Sequence, residues 1–126
     1  MPARRLIALA LAGALLLAGC ATPHAPADRA EAPPQARACP AELPAGTRCL
    51  AGRDAAGAFY LVALPAQWNG TLVLHAHGGP TLGAPTLERT EEDLKRWAIV
   101  VRAGYAWAGS SFRQGGVAVH AAAEDT

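Results

Sequence analysis

The chain has 126 residues, of which 52% are hydrophobic and 17% are charged, and its formal net charge is +1. If residues 1–19 are removed, Arg4 and Arg5 leave with them, so nine of the eleven basic side chains remain against ten acidic ones. This balance argues against a nucleic-acid-binding protein, because binding to phosphates requires a basic patch or stripe.

Residues 1–19 are predicted to be a signal peptide. Two arginines precede the apolar run LIALALAGALLL, which is shorter than the ~20 residues that a membrane-spanning helix needs. The following LAGC resembles the bacterial lipobox, in which the cysteine, here Cys20, is lipidated and becomes the first residue of the mature chain. The resemblance implies an exported protein that is anchored to the inner or outer membrane of a bacterial envelope and faces the periplasm or the exterior. A plain signal peptide with an incidental cysteine is the alternative.

Residues 20–38 are predicted to be the lipidated cysteine and a flexible tether. Residues 21–38 hold seven Ala and four Pro and no aromatic residue, which is too little apolar surface to offset the entropic cost of ordering. A folded domain is predicted from residue 39 to residue 126. At its start, Cys39 and Cys49 are expected to form a disulfide, because paired cysteines outside the cytoplasm most simply do so.

The first predicted elements of the domain are strands. TRCLAGRD and AFYLVALP flank a turn at residues 54–57 and predict an antiparallel hairpin. A tight turn at Asn69-Gly70 leads into TLVLHAH, whose nearly continuous apolar run is typical of a strand covered on both faces.

A helix is predicted to begin at Thr90. The acidic residues 91–93 suit the positive end of the helix dipole, and Thr90 with Asp93 fits a capping box. The apolar positions that then recur at helical spacing are Leu94, Trp97, Ala98 and Val101. Gly104 is placed to end the helix, YAWAGSSF predicts a buried strand, RQGGV a loop and AVHAAAEDT a further helix. The predicted fold class is therefore α/β, with an antiparallel hairpin followed by a parallel strand–helix–strand unit.

The segment HAHGGP at residues 75–80 has three interpretations. His75 and His77 lie two apart on a strand and so could converge on one metal ion, with His24 or His120 contributing. Alternatively, His75 is a packed core side chain and His77 a polar strand end. In the third interpretation, the backbone N–H groups of Gly78 and Gly79 are free of Cβ obstruction and stabilise an oxyanion, with His77 in support.

The favoured third interpretation depends on a resemblance over residues 47–126. WNGTLVLHAHGGP resembles the third strand and oxyanion loop of the α/β-hydrolase fold, and AGYAWAGSSFRQGGVAVHAAAEDT resembles the fourth strand and the start of the next helix. The closest subgroup comprises secreted esterases and prolyl-oligopeptidase-like serine hydrolases. The resemblance implies acyl transfer on an ester or peptide substrate without a cofactor or a metal. Gly79 would donate to the oxyanion and Gly78 would permit the turn.

The sequence departs from this family at the nucleophile. No Gly-x-Ser-x-Gly motif occurs, and Ser110 and Ser111 fall at a strand end rather than at a strand-to-helix elbow. His120 is too early to be the family's histidine, and Asp125 is not expected to be its acid. The resemblance therefore implies an incomplete N-terminal portion of the hydrolase sheet, inactive alone, with TLVLHAH as an exposed apolar edge. The alternatives are a non-catalytic envelope lipoprotein that binds a partner or a cell-wall component, and a metal-binding lipoprotein.

Overall fold

The computed structural model describes residues 33–78 and 82–126, so Cys20, His24 and Gly79 lie outside the described residues. The strands are β1 (Gln35–Arg37), β2 (Arg48–Arg53), β3 (Phe59–Leu64), β4 (Leu72–His75) and β5 (Ala106–Ser110), and the helices are α1 (Leu87–Arg96), α2 (Ala98–Arg102) and α3 (Val119–Asp125). The strands form one sheet in the order β1-β2-β3-β5-β4. Only β4 and β5 pair in parallel, and the other neighbours are antiparallel. The predicted α/β class, with a hairpin followed by strand, helix and parallel strand, is confirmed.

The hairpin between β2 and β3 is closed by a turn that the Asp54 side chain organises. Its Oδ1 accepts hydrogen bonds from the backbone N–H groups of Gly57 at 2.7 Å and Ala58 at 2.8 Å. Gly57 has a φ of 101°, which glycine adopts without steric cost. The Asp54 carboxylate thus accepts hydrogen bonds from backbone N–H groups only three and four residues further along the chain. Because the residues that form the turn are close together in the sequence, the hairpin could be predicted from it.

Strand β1 lies inside the segment that was predicted to be a tether. Its three residues pair antiparallel with β2, with Arg37 opposite Cys49. The Arg37 guanidinium also forms an ion pair with Glu91 of α1. The tether prediction is therefore corrected for residues 35–37. These residues are held by partners far along the chain, which their own Ala- and Pro-rich composition does not reveal.

The predicted disulfide between Cys39 and Cys49 is confirmed. The two Cα atoms are 5.3 Å apart, within the usual range for bridged cysteines. Cys49 is buried on β2, and Cys39 packs against the same hydrophobic core. The bridge thus ties the chain directly after β1 to the strand with which β1 pairs.

The hydrophobic core lies between one face of the sheet and helices α1 and α2. Alternate residues of β2, β3 and β5 point to this face, as the period of a strand requires. The buried core residues are Leu43, Cys49, Ala51, Leu61, Ala63, Leu94, Ala98, Val101 and Trp107. Trp107 is at the centre of this core on β5, an interior strand with neighbours on both sides.

Strand β4 is the last strand at its end of the sheet within the described residues. Val73 packs against the core, whereas Leu72 and Leu74 lie on the opposite face of the strand and are 53% and 55% exposed. The predicted apolar edge is therefore confirmed, but the expectation that both faces of this strand are covered is wrong. The continuous apolar run arises because one face packs on the core while the other carries partly exposed leucines.

Helix α1 begins three residues earlier than predicted. Thr86 occupies the N-cap position, and Thr90 lies inside the helix, buried, with no hydrogen-bond partner for its Oγ1 among the described residues. The predicted capping box at Thr90 is therefore wrong. At the true start, backbone and Thr86 hydrogen bonds to the Glu88 carboxylate hold the pKa of Glu88 below its ordinary value.

The helical region ends as predicted. Trp97 separates α1 from α2, and Gly104 adopts a φ of 87° where the chain turns towards β5. Such a left-handed residue is a common helix terminator. Within the described part of the chain, no helix has the length and apolar character needed to cross a membrane.

Gly109 of β5 provides a test of how the Trp107 ring is packed. A Cβ added at Gly109 would lie 2.5 Å from Cη2 of the Trp107 side chain, so Gly109→Ala must displace a buried ring. We expect a loss of about 1–3 kcal/mol in the free energy of unfolding, measured by urea denaturation. The control is Gly78→Ala, where an added Cβ would meet nothing within 4 Å and a change within about 0.5 kcal/mol is expected. Equal losses for the two variants would contradict this description.

Candidate ligand-binding site

A cavity of about 800 Å³ opens at the carboxyl ends of the parallel strands β4 and β5. It lies between the loop that follows β4 and the segment that runs from the end of β5 through α3. In open α/β sheets, ligands characteristically bind at the carboxyl ends of the strands, where the order of strands reverses. The sheet does reverse its order here, since β5 inserts between β3 and β4. Position and size therefore mark this cavity as the candidate functional site.

The two histidines of HAHGGP lie in different environments. The His75 ring stacks on Trp107 at 5.5 Å between centroids and lies 5.9 Å from Trp97. Its Nε2 is 3.7 Å from Oδ2 of buried Asp93. His75 is therefore a packed side chain on the helix-covered face. The His77 ring instead stacks on Phe112 at 4.2 Å and lines the cavity.

The metal interpretation requires a third ligand close to His75 and His77. Among residues 33–78 and 82–126, no group of three or more His, Cys, Asp or Glu side chains is placed to hold a metal ion. His120 lies on α3, with its side chain 88% exposed and its Nδ1 3.6 Å from Oε1 of Glu124. The three histidines of the described chain thus lie in three different surroundings.

Gly78 borders the cavity. Its φ lies outside the left-handed region, and an added Cβ would meet nothing within 4 Å. The expected role of Gly78 in the turn stays a prediction, because the chain continues into residues 79–81, which lie outside the described residues. What its missing side chain provides is open space against the backbone, which allows a ligand to approach closely. Gly79, the predicted oxyanion donor, lies outside the described residues.

The hydroxyl groups of Ser110 and Ser111 are used in holding the end of β5. Oγ of Ser110 accepts a hydrogen bond from the Phe112 N–H at 3.1 Å. Oγ of Ser111 accepts from the Phe59 N–H at 3.0 Å and donates to the Phe112 carbonyl at 3.2 Å. Both serines are buried. Among the described residues, these contacts are those of a structural strand end, and they include no base that would activate either serine as a nucleophile.

These serine contacts hold Phe112 in an unusual conformation. Its φ is 57°, a left-handed value that costs energy for a residue with a bulky side chain. The strained backbone places the Phe112 ring against His77 on the cavity wall. The sequence carries no signal for this arrangement, because glycine or asparagine is the residue normally expected at such a φ.

Helix α3 is attached to the end of β5 through Arg113. The Arg113 backbone N–H donates to Oδ2 of Asp125 at 2.7 Å, and its Nη1 donates to Oδ1 at 2.8 Å. A further ion pair with Glu124, together with the Asp125 charge, raises the pKa of Arg113 above its ordinary value. Asp125 therefore holds α3 along one side of the cavity.

Arg89 of α1 also lines the cavity, although its sequence context gave no reason to select it. Its Nε is shielded from solvent and has no hydrogen-bond partner in the described chain. Both ring nitrogens of His77 are likewise shielded and unpartnered. Two side chains with unused hydrogen-bonding groups thus border one largely apolar cavity, the usual composition of a small-molecule site.

Comparison with known proteins finds no match: no protein-family model, no curated protein and no solved structure is matched by this chain.

Proposed function

We propose that this chain is the N-terminal part of a membrane-anchored, exported serine hydrolase of the α/β-hydrolase type. It would act on an ester or peptide bond by acyl transfer. The observation that carries the proposal is the position of the cavity at the carboxyl ends of β4 and β5, bordered by the loop that contains His77 and Gly78.

The order of elements around this loop supports the proposal. In the α/β-hydrolase fold, one oxyanion donor is a backbone N–H of the loop between the third strand and the following helix. Here the hairpin β2–β3 precedes β4, and the loop from β4 leads into α1. The open space beside Gly78 would let a substrate carbonyl reach the backbone N–H groups of this loop.

The proposed chemistry requires a serine from outside residues 1–126. Ser110 and Ser111 are engaged in internal hydrogen bonds, and the sequence has no Gly-x-Ser-x-Gly motif. In acyl transfer, the serine Oγ attacks the substrate carbonyl while a base takes its proton. The oxyanion that forms would accept hydrogen bonds from the loop after His77. Loss of one such donor typically lowers kcat by roughly 100- to 1,000-fold.

The proposal is tested on the native protein. An antibody against residues 33–126 would capture it from envelopes of its source organism, and the captured protein would be treated with a fluorophosphonate probe. We expect labelling of a serine outside residues 1–126, located by tryptic mass spectrometry and absent after heat denaturation. A captured native protein that takes up no probe would overturn the proposal.

The non-catalytic alternative is an envelope lipoprotein that binds its ligand without turning it over. The specific observation in its favour is the structural use of both serines next to the cavity, since a binding protein needs no nucleophile. In the same experiment, a binding lipoprotein should be captured by the antibody but should not react with the fluorophosphonate probe.

A further inference from the structure

We propose that the cavity binds a small apolar carboxylate, with the carboxylate against Arg89 and the apolar body between Phe112 and α3. This inference goes beyond the proposed hydrolase activity and does not depend on it, because ligand binding requires no nucleophile. Its basis is the combination of an apolar cavity with one unpaired cation.

The charge on the cavity wall favours a negatively charged ligand. Arg89 is the charged side chain among the described residues that line the cavity, and no Asp or Glu side chain accompanies it there. Its Nε is buried and unpartnered, a state that costs free energy until a hydrogen-bond acceptor arrives. A carboxylate is the acceptor that matches the guanidinium in both charge and planar geometry.

Four other arginines of the described chain, none of which lines the cavity, have their guanidinium groups engaged within the protein. The guanidinium groups of Arg37 and Arg113 form ion pairs with carboxylates. Those of Arg53 and Arg102 donate to the backbone carbonyls of Gly57 and Glu42. Within the described chain, no such contact engages Arg89, so its charge is available to a ligand.

His77 supplies a second unused hydrogen-bonding group on the same cavity. Neither ring nitrogen has a partner among the described residues, and the ring is fixed by stacking on Phe112. A neutral imidazole carries one N–H donor. A bound carboxylate or carbonyl oxygen would satisfy that donor without moving the ring.

The rest of the cavity wall carries apolar side chains and therefore favours a ligand with an apolar body. Leu74 of β4, Val117 shortly before α3 and Val119 at the start of α3 line the cavity, and all three are more than half exposed. Covering such side chains with an apolar ligand removes surface from water at about 25 cal/mol per Å². The volume of about 800 Å³ accommodates an aryl-alkyl or medium-chain acyl group.

Binding of 4-phenylbutyrate to the purified full-length protein, measured by isothermal titration calorimetry, tests the inference. The neutral 4-phenylbutanamide has nearly the same shape and is the ligand control. We expect the carboxylate to bind at least tenfold more tightly than the amide. We also expect Arg89→Gln to lose at least tenfold in affinity for the carboxylate while leaving amide binding unchanged. Equal affinities for the two ligands, or no binding of either, would overturn the inference.

Arg48→Gln is the matched control variant, because Arg48 is an exposed arginine on β2 away from the cavity. It should bind 4-phenylbutyrate as the wild type does. If Arg89→Gln fails to fold, Val119→Trp tests the same site from an exposed position by filling the cavity. Unchanged affinity in a folded Val119→Trp protein would place the ligand elsewhere and refute the assignment.

Discussion

Replacing Trp107 by alanine is expected to lower the free energy of unfolding by about 3–5 kcal/mol. The side chain is fully buried at the centre of the core, on the interior strand β5. Its ring covers Gly109 and stacks against His75. Its removal would therefore leave a cavity and also deprive His75 of a ring partner. Urea denaturation followed by circular dichroism measures the loss.

Trp68→Ala is the matched control for this prediction. Trp68 is 51% exposed, and its indole N–H donates to the Thr71 carbonyl at 2.9 Å. Its removal therefore eliminates one hydrogen bond and little buried surface, and we expect the free energy of unfolding to fall by about 1 kcal/mol. Similar losses for the two tryptophans would show that β5 is not the centre of the core.

Removal of the disulfide is the second change for which a large effect is expected. The double variant Cys39→Ala, Cys49→Ala should lose about 3 kcal/mol in the free energy of unfolding, because the bridge restricts the unfolded chain. The two cysteines are separated by ten positions in the sequence.

Reduction provides the control for this second prediction. Dithiothreitol should destabilise the wild type to about the level of the double variant, and should leave the variant unchanged. Cys20 is present in both proteins, so it cannot account for a difference between them. A wild type whose urea midpoint is insensitive to reduction would mean that the bridge contributes nothing to stability.

The parts of the fold that were predicted correctly are encoded locally. The β2–β3 hairpin follows from Asp54 and Gly57 in its turn, and the end of α2 from Gly104. Strand β1 and the true start of α1 were missed because their determinants are not local. Arg37 finds its partner Glu91 on a distant helix, and Thr90 fits a capping box in sequence while tertiary packing buries it within α1.

The candidate site could be predicted only in part, for a related reason. The position of His77 and Gly78 at the end of a strand follows from the apolar run before them. The contributions of Phe112 and Arg89 depend on how the chain folds back after β5 and after the loop that follows β4. Neither a left-handed phenylalanine nor an unpaired arginine is visible in the sequence, since each is defined by neighbours far along the chain.

The position of β4 has a consequence for the local stability of the site. In the described structure its only strand neighbour is β5, whereas β3 and β5 each have two. β1 also has a single neighbour, but it has the disulfide beside it. Local opening of a protein follows the elements with the fewest stabilising contacts. The strand that leads into the cavity is therefore the one expected to detach first, and its backbone amides should exchange with solvent while those of β3 stay protected.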